Sequence, residues 1–157
     1  IRKLESEKLD AVILAAAGIR RLGFADCITS QIDTETMLPA VGQGALCIEA
    51  RDDDTEILNL LAKINDPETA CTVSAERAFL KRLQGGCQVP IAAFAQIREK
   101  EIFIDGMVAE TDGSVLLRKQ LRGPLENPEQ LGTKLAETLI EEGAGDIVQR
   151  LLEEAEK

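Results

Sequence analysis

The sequence predicts an α/β segment over residues 1–64 followed by a small α+β domain over residues 65–157, the latter in the order αβββαα. Three observations carry this reading. A capping residue and a proline stand together at Asn65-Asp66-Pro67, where a new helix begins. Beyond it, three apolar-rich stretches are separated by hairpin-length turns and followed by two helical patterns, which gives a three-stranded antiparallel sheet with helices on one face. Before it, the apolar run Ala11-Val12-Ile13-Leu14-Ala15-Ala16-Ala17 is short and bounded by Asp10 and Gly18. Such a run fits a strand buried on both faces of a parallel sheet, and a buried helix fits it equally.

In chain order, the first residues form a polar helical turn, and the apolar run ends at Gly18. Arg20 and Arg21 then lie past the carboxyl end of the expected strand, where open α/β sheets hold ligands. They suit an anion, although a solvated helix face accounts for them as well. Residues 38–49 read as a glycine-bearing loop running into a strand. Gly42 and Gly44 would let backbone amides approach a ligand, and a tight structural turn is the plainer alternative. The third glycine of a dinucleotide fingerprint and the Lys-Ser/Thr of a P-loop are both missing. Asp52-Asp53-Asp54 offer caps for a helix through Ile57, Leu58, Leu61 and Ile64, and no further oxygen ligands follow at the spacing of a calcium or magnesium site.

The helix that opens at Pro67 runs to about Leu83, with Cys71, Ala75, Ala78 and Phe79 on one face and Gly85-Gly86 as its terminus. Strands are expected at residues 91–97, 102–108 and 115–121. Asn127-Pro128 opens a helix with Leu131, Leu135 and Leu139 on one stripe. Gly143-Ala144-Gly145 breaks it before a last helix carrying Ile147, Val148, Leu151 and Leu152.

Composition narrows the function. Lys and Arg number 18 against 28 Asp and Glu, a net charge of −10, which opposes binding to nucleic acid or anionic membranes. Trp and Tyr are absent, so platforms for stacking bases are missing. Histidine is absent too, which removes Ser-His-Asp and Cys-His nucleophiles and the common zinc sites, and no metal site is expected. No apolar stretch approaches the roughly 20 residues that span a bilayer, and the first residues do not resemble a signal peptide. A cytoplasmic location with reduced thiols is the expectation. The chain begins with Ile1 inside a charged helix, which suggests part of a longer polypeptide.

The four cysteines, Cys27, Cys47, Cys71 and Cys87, show no C-x-x-C pairing. The first three sit in apolar or helical patterns and read as small buried hydrophobes. Cys87 differs. It follows Gly85-Gly86 and precedes Gln88-Val89-Pro90, in a loop between a helix end and the first strand, a setting that suggests exposure. A helix C-terminus raises a thiol pKa, so this cysteine suits capture of a strong electrophile better than attack on a reluctant one. An unreactive structural thiol remains the alternative.

The strings LDAVILAAAGIRRLGF, LPAVGQGALCIEAR, ETACTVSAERAFLKRLQGGCQVP and DGSVLLRKQLRG resemble the C-terminal half of the porphobilinogen deaminase family, also called hydroxymethylbilane synthases, in order and across essentially the whole chain. The most specific part is Ala75-Glu76-Arg77 followed by GGCQVP; Ala50 departs from the cysteine that family members often carry there. The resemblance implies a transferase that condenses four porphobilinogen molecules into hydroxymethylbilane with release of ammonia. It also implies a dipyrromethane cofactor joined by a thioether to Cys87 and absent from the isolated chain. Loss of ammonia from porphobilinogen leaves an electrophile that a modest thiol can capture. Each pyrrole brings an acetate and a propionate. Arg21 is implied as a partner of those carboxylates, a task that suits a guanidinium. Backbone amides around Ala15, Gly18, Gln43 and Gly44 are implied to complete the cradle.

On the same resemblance, residues 1–64 are the end of a second domain like those of periplasmic binding proteins, with the crossing back into the first. Residues 65–157 are the cofactor-attachment domain. The catalytic aspartate is expected upstream of Ile1, none of the carboxylates here takes that role, and Glu49 and Asp52 read as structural. The partners implied are porphobilinogen, the growing oligopyrrole and the N-terminal half of the protein. This chain alone is then expected to be inactive. The alternative, from a different class, is a non-catalytic small-ligand-binding or interaction module.

Overall fold

Side-chain caps set where two of the helices begin. Asp54 accepts the Ile57 N–H at 3.2 Å and starts α3, Thr55–Ala62. Asp66 accepts the Thr69 N–H at 2.7 Å ahead of Pro67 and starts α4, Pro67–Leu83. Each cap satisfies a donor that the first helical turn leaves without a partner. The computed structural model describes residues 1–84 and 89–155. Its other elements are α1 (Arg2–Ser6), α2 (Ala16–Arg21), a 3-10 turn at Ala25–Cys27, β1 (Ile91–Arg98), β2 (Glu101–Ala109), β3 (Leu116–Pro124), α5 (Pro128–Glu141) and α6 (Ala144–Ala155). Gly85 and Gly86, expected to end α4, lie outside the described residues. The helix ends instead with Gln84 in the left-handed region at φ 54°.

The chain divides into two units, Ile1–Asp33 and Thr34–Lys157. The first holds α1, α2 and the 3-10 turn. The second holds the sheet, in the order β1-β2-β3 with both pairings antiparallel. The sequence order αβββαα is therefore observed from α4 to α6, and β3 runs three residues further than expected. Along β2, Ile102, Ile104 and Val108 are buried, as the period-2 geometry of a strand with one covered face requires. They meet Phe79 from α4 and Leu135 and Leu139 from α5 in one core. On the opposite face Arg118 binds Asp105 at 2.7 Å and donates to the Glu35 carbonyl at 2.8 Å, which fastens the start of this unit to the sheet.

The strands expected in residues 1–64 are not found. Residues 11–15 and 45–50 are without secondary structure, and Ile13, Leu46 and Ile48 are exposed. The physical reason is the cost of unpaired backbone: a parallel strand needs neighbours that satisfy its N–H and C=O groups, and among the described residues these segments have no ladder partner. Among the described residues no helix is long and apolar enough to cross a membrane.

The tightest joint in the domain is between α4 and α5. A Cβ added at Gly132 would overlap the Ala75 carbonyl oxygen and stand 3.0 Å from the Phe79 nitrogen, both backbone atoms that cannot swing aside. At Gly145 the nearest atom to an added Cβ is 3.5 Å away, an ordinary contact. Gly132→Ala is expected to cost roughly 3 kcal/mol through overpacking, whereas Gly145→Ala should gain about 0.5 kcal/mol by restricting the unfolded chain. Urea midpoints of the two variants should therefore move in opposite directions, and equal midpoints would contradict the packing described.

Candidate functional site

Two glycines shape the first wall of the site. Gly42 and Gly44 adopt φ angles of 73° and 91°, which glycine reaches without penalty. An added Cβ would meet nothing within 4 Å at either, so the backbone angle alone asks for glycine. The turn closes on itself: the Gln43 N–H donates to the Ala40 carbonyl at 2.9 Å and the Ala45 N–H to the Gly42 carbonyl at 3.1 Å. Leu38 is buried and Val41 packs against the core. Gln43 and Gly44 are left exposed. Among the described residues the Gly44 N–H has no acceptor.

The third hydrogen bond of this turn comes from outside it. Glu76 of α4 is 4% exposed and is the one buried charged side chain among the described residues. Its Oε2 accepts the Gly42 N–H at 2.7 Å, and its Oε1 accepts the Ala95 N–H of β1 at 2.8 Å. No cation pairs with it among the described residues. Burial pushes its carboxyl above the usual glutamate range, against the two amide bonds that favour the ionised form.

Between the segment that follows the turn and α4 runs a groove of about 1150 Å³. Gly44, Leu46 and Cys47 line one side; Arg77 and Lys81 line the other. These two cations are four residues apart and so share a helix face. The acids in the lining are engaged elsewhere, Asp66 as the α4 cap and Glu129 with the Ser74 hydroxyl at 3.2 Å. Arg82 pairs with Glu137 at 3.2 Å. Among the described residues no acid pairs with Arg77 or Lys81, so two unpaired cations face the groove in a chain whose net charge is negative.

The residues expected from the sequence fall into two groups. Ala15, Gly18 and Arg21 belong to the first unit, on and just before α2. The Ala15 carbonyl accepts the Gly18 N–H at 3.0 Å, and Arg21 ends the helix exposed. Gln43 and Gly44 share the turn of the second unit. Cys87, the expected attachment point, lies outside the described residues, three positions beyond Gln84, which lines the groove. Glu49 and Asp52 are exposed, and Asp54 does the capping expected of the acidic triplet.

Sequence reasoning missed Glu76, Arg77 and Lys81. A signal was present for Glu76: Leu83, seven residues on, shares its face, so an apolar stripe extended to Leu83 takes in Glu76 as well. Two cysteines also differ from expectation. Cys27 and Cys47 are exposed, because the segments carrying them have no covering element among the described residues; Cys71 is half-buried, with its thiol donating to the Leu125 carbonyl at 3.6 Å.

Residues 1–59 match the family model for the dipyromethane cofactor binding domain of porphobilinogen deaminase, and residues 70–141 match the model for the C-terminal domain of the same enzyme. The chain belongs to the porphobilinogen deaminase family. It is 46% identical to the porphobilinogen deaminase of Oceanobacillus iheyensis over 158 residues, covering 100% of this chain and 50% of that protein. It is 50% identical to that of Alkaliphilus metalliredigens over 147 residues, covering 94% and 46%. The chain thus spans about half the length of the curated relatives it matches. Cys87 falls within the match to the C-terminal domain, and all five other expected residues fall within the match to the cofactor-binding domain.

Burial and, after it, the charge of Glu126 raise the Cys71 thiol pKa. A raised pKa leaves less thiolate at any given pH, so Cys71 should react with iodoacetamide at pH 8 about tenfold more slowly than Cys47, and the gap should narrow as pH rises. Peptide mass spectrometry over a time course reads this; equal rates at pH 8 would contradict the burial.

Proposed function

We propose that this chain is the primer-bearing part of a transferase that condenses four porphobilinogen molecules into hydroxymethylbilane, releasing ammonia at each addition, for tetrapyrrole and haem biosynthesis. One observation carries the reading: two family models of a single enzyme match in order along a chain whose cationic groove reaches Gln84, three residues before Cys87.

The donor set suits a dipyrromethane, whose pyrroles carry acetate and propionate groups. Arg77 and Lys81 offer two cations and Gly44 an unspent N–H. Arg21, solvent-exposed at the end of α2, pairs with carboxylates in the same way. Gln43 and Gly44 in the second unit, and separately Ala15 and Gly18 in the first, are the backbone groups proposed for such carboxylates. Of their amides, those of Gly18 and Gln43 are already spent on internal bonds, and among the described residues those of Ala15 and Gly44 have no acceptor. Cys87 is the thioether tether, and a cytoplasmic setting keeps its thiol reduced. When bound, the dipyrromethane supplies the primer for elongation.

Acid catalysis lies in the part of the relatives' length that this chain does not span. That part and porphobilinogen are the partners it needs. Residues 1–64 belong to lobes like those of periplasmic binding proteins. Exposed Ile13, Leu46 and Ile48 support this, since they read as strand residues whose neighbours lie elsewhere.

The full-length protein is expected to carry the extra mass of two pyrrole units, and Cys87→Ser to lose it entirely; intact-mass spectrometry reads both. Retention of the extra mass by the serine variant would overturn the attachment site. The chain alone should leave porphobilinogen unconsumed.

A further inference from the structure

The structure gives Glu76 an arrangement that packing alone does not ask for. A buried carboxylate without a cation is costly unless its oxygens are answered by hydrogen bonds. Glu76 has one bond on each oxygen, and both come from backbone amides that would otherwise be orphans. β1 is an edge strand. The Ala95 amide therefore has no strand to turn to on that side. Gly42 sits in a turn whose remaining bonds are internal. One side chain thus ties α4, the open edge of β1 and the turn at residues 40–44 to a common point.

The position of that point matters. α4 carries Arg77 and Lys81 on the groove and continues to Leu83, seven residues beyond Glu76, about 10 Å along the axis. The turn held by Glu76 presents Gly44 to the same groove. We infer that Glu76 is a positioning residue: it holds the turn at residues 40–44 in fixed register with α4, so that the exposed Gly44 amide and the Arg77 and Lys81 cations face one anionic ligand. This rests on the proposed function only in naming that ligand as a pyrrole carboxylate. Glu76 itself, buried beneath the turn, does not touch the ligand.

The surroundings make its titration readable. The turn brings no ionisable side chain, and β1 brings only Arg98, which is exposed and donates to Gln96. On α4 the residues one turn away, Thr72, Val73, Phe79 and Leu80, are uncharged, and the neighbouring Arg77 is exposed. On the elements packed against α4, Glu129, Lys134, Glu137 and Glu141 of α5 are exposed, and Glu101 and Asp105 of β2 pair with Arg122 and Arg118.

Amide NMR on the full chain tests the inference. The Gly42 and Ala95 amide protons should titrate together, with a midpoint above the ordinary glutamate range. Glu76→Gln keeps one acceptor oxygen and should abolish both titrations. It should also speed hydrogen exchange at Gly42 on the order of tenfold, while exchange in α5 and β3 stays unchanged. A Gly42 amide that neither titrates nor exchanges faster in the variant would overturn the clamp. The ligand arm uses porphobilinogen as the probe. Shifts of the Gly44 amide in the native chain that weaken at least fivefold in Glu76→Gln support positioning, and equal shifts in both proteins overturn it. If the Gly44 amide of the native chain does not respond at all, the ligand assignment falls, and the exchange result decides the clamp by itself.

Discussion

The second unit depends on a single electrostatic bargain at Glu76. A charge withdrawn from water must be compensated, and here two backbone amides supply the compensation in place of an arginine or lysine. Because those amides belong to different segments, satisfying the charge also fixes where the segments lie. The edge of β1 gains a partner for one unpaired donor, and the glycine turn gains an anchor that its own short bonds do not provide. The helix that carries Glu76 is held in turn by the close approach of α5 at Gly132, so an error at either place would be felt at the other.

This arrangement leaves the groove with a division of labour. Cations stand on a rigid helix and the amide donor on a turn pinned to it, while the acids of the lining are occupied by a cap and a hydroxyl. The result is a groove with two unpaired cations in an acidic chain, which favours a small anion over an extended polyanion such as nucleic acid. Under the proposed function the ligand of that groove is an oligopyrrole, which is dense in carboxylates.

Much of the domain after Asp66 is legible in the sequence because its signals are local. The helix start at Asp66-Pro67, the alternation along β2 and the leucine stripe of α5 each follow from a short-range rule, and the structure agrees with them. The first 64 residues are a different matter. Ile13, Leu46 and Ile48 carry the composition of strands, but a strand in a parallel sheet is made by its neighbours, and no neighbour pairs with them among the described residues. Cys27 and Cys47 mislead for the same reason: an apolar context predicts burial only where something covers it. The glycine turn is readable from Gly42 and Gly44, whereas its anchor is not, because a glutamate beside an apolar stripe looks like surface until Leu83 is counted with the stripe. Cys87 is singled out by its loop sequence and by family resemblance together, with neither sufficient alone.

The most direct measurement is an experimental structure of the full-length protein with its cofactor in place. Continuous density is expected from the Cys87 sulfur into a two-pyrrole group, with carboxylates of that group within hydrogen-bond distance of the Gly44 amide and Glu76 still accepting the Gly42 N–H. Density attached at another residue, or a turn swung clear of Glu76 with the ligand bound, would contradict it.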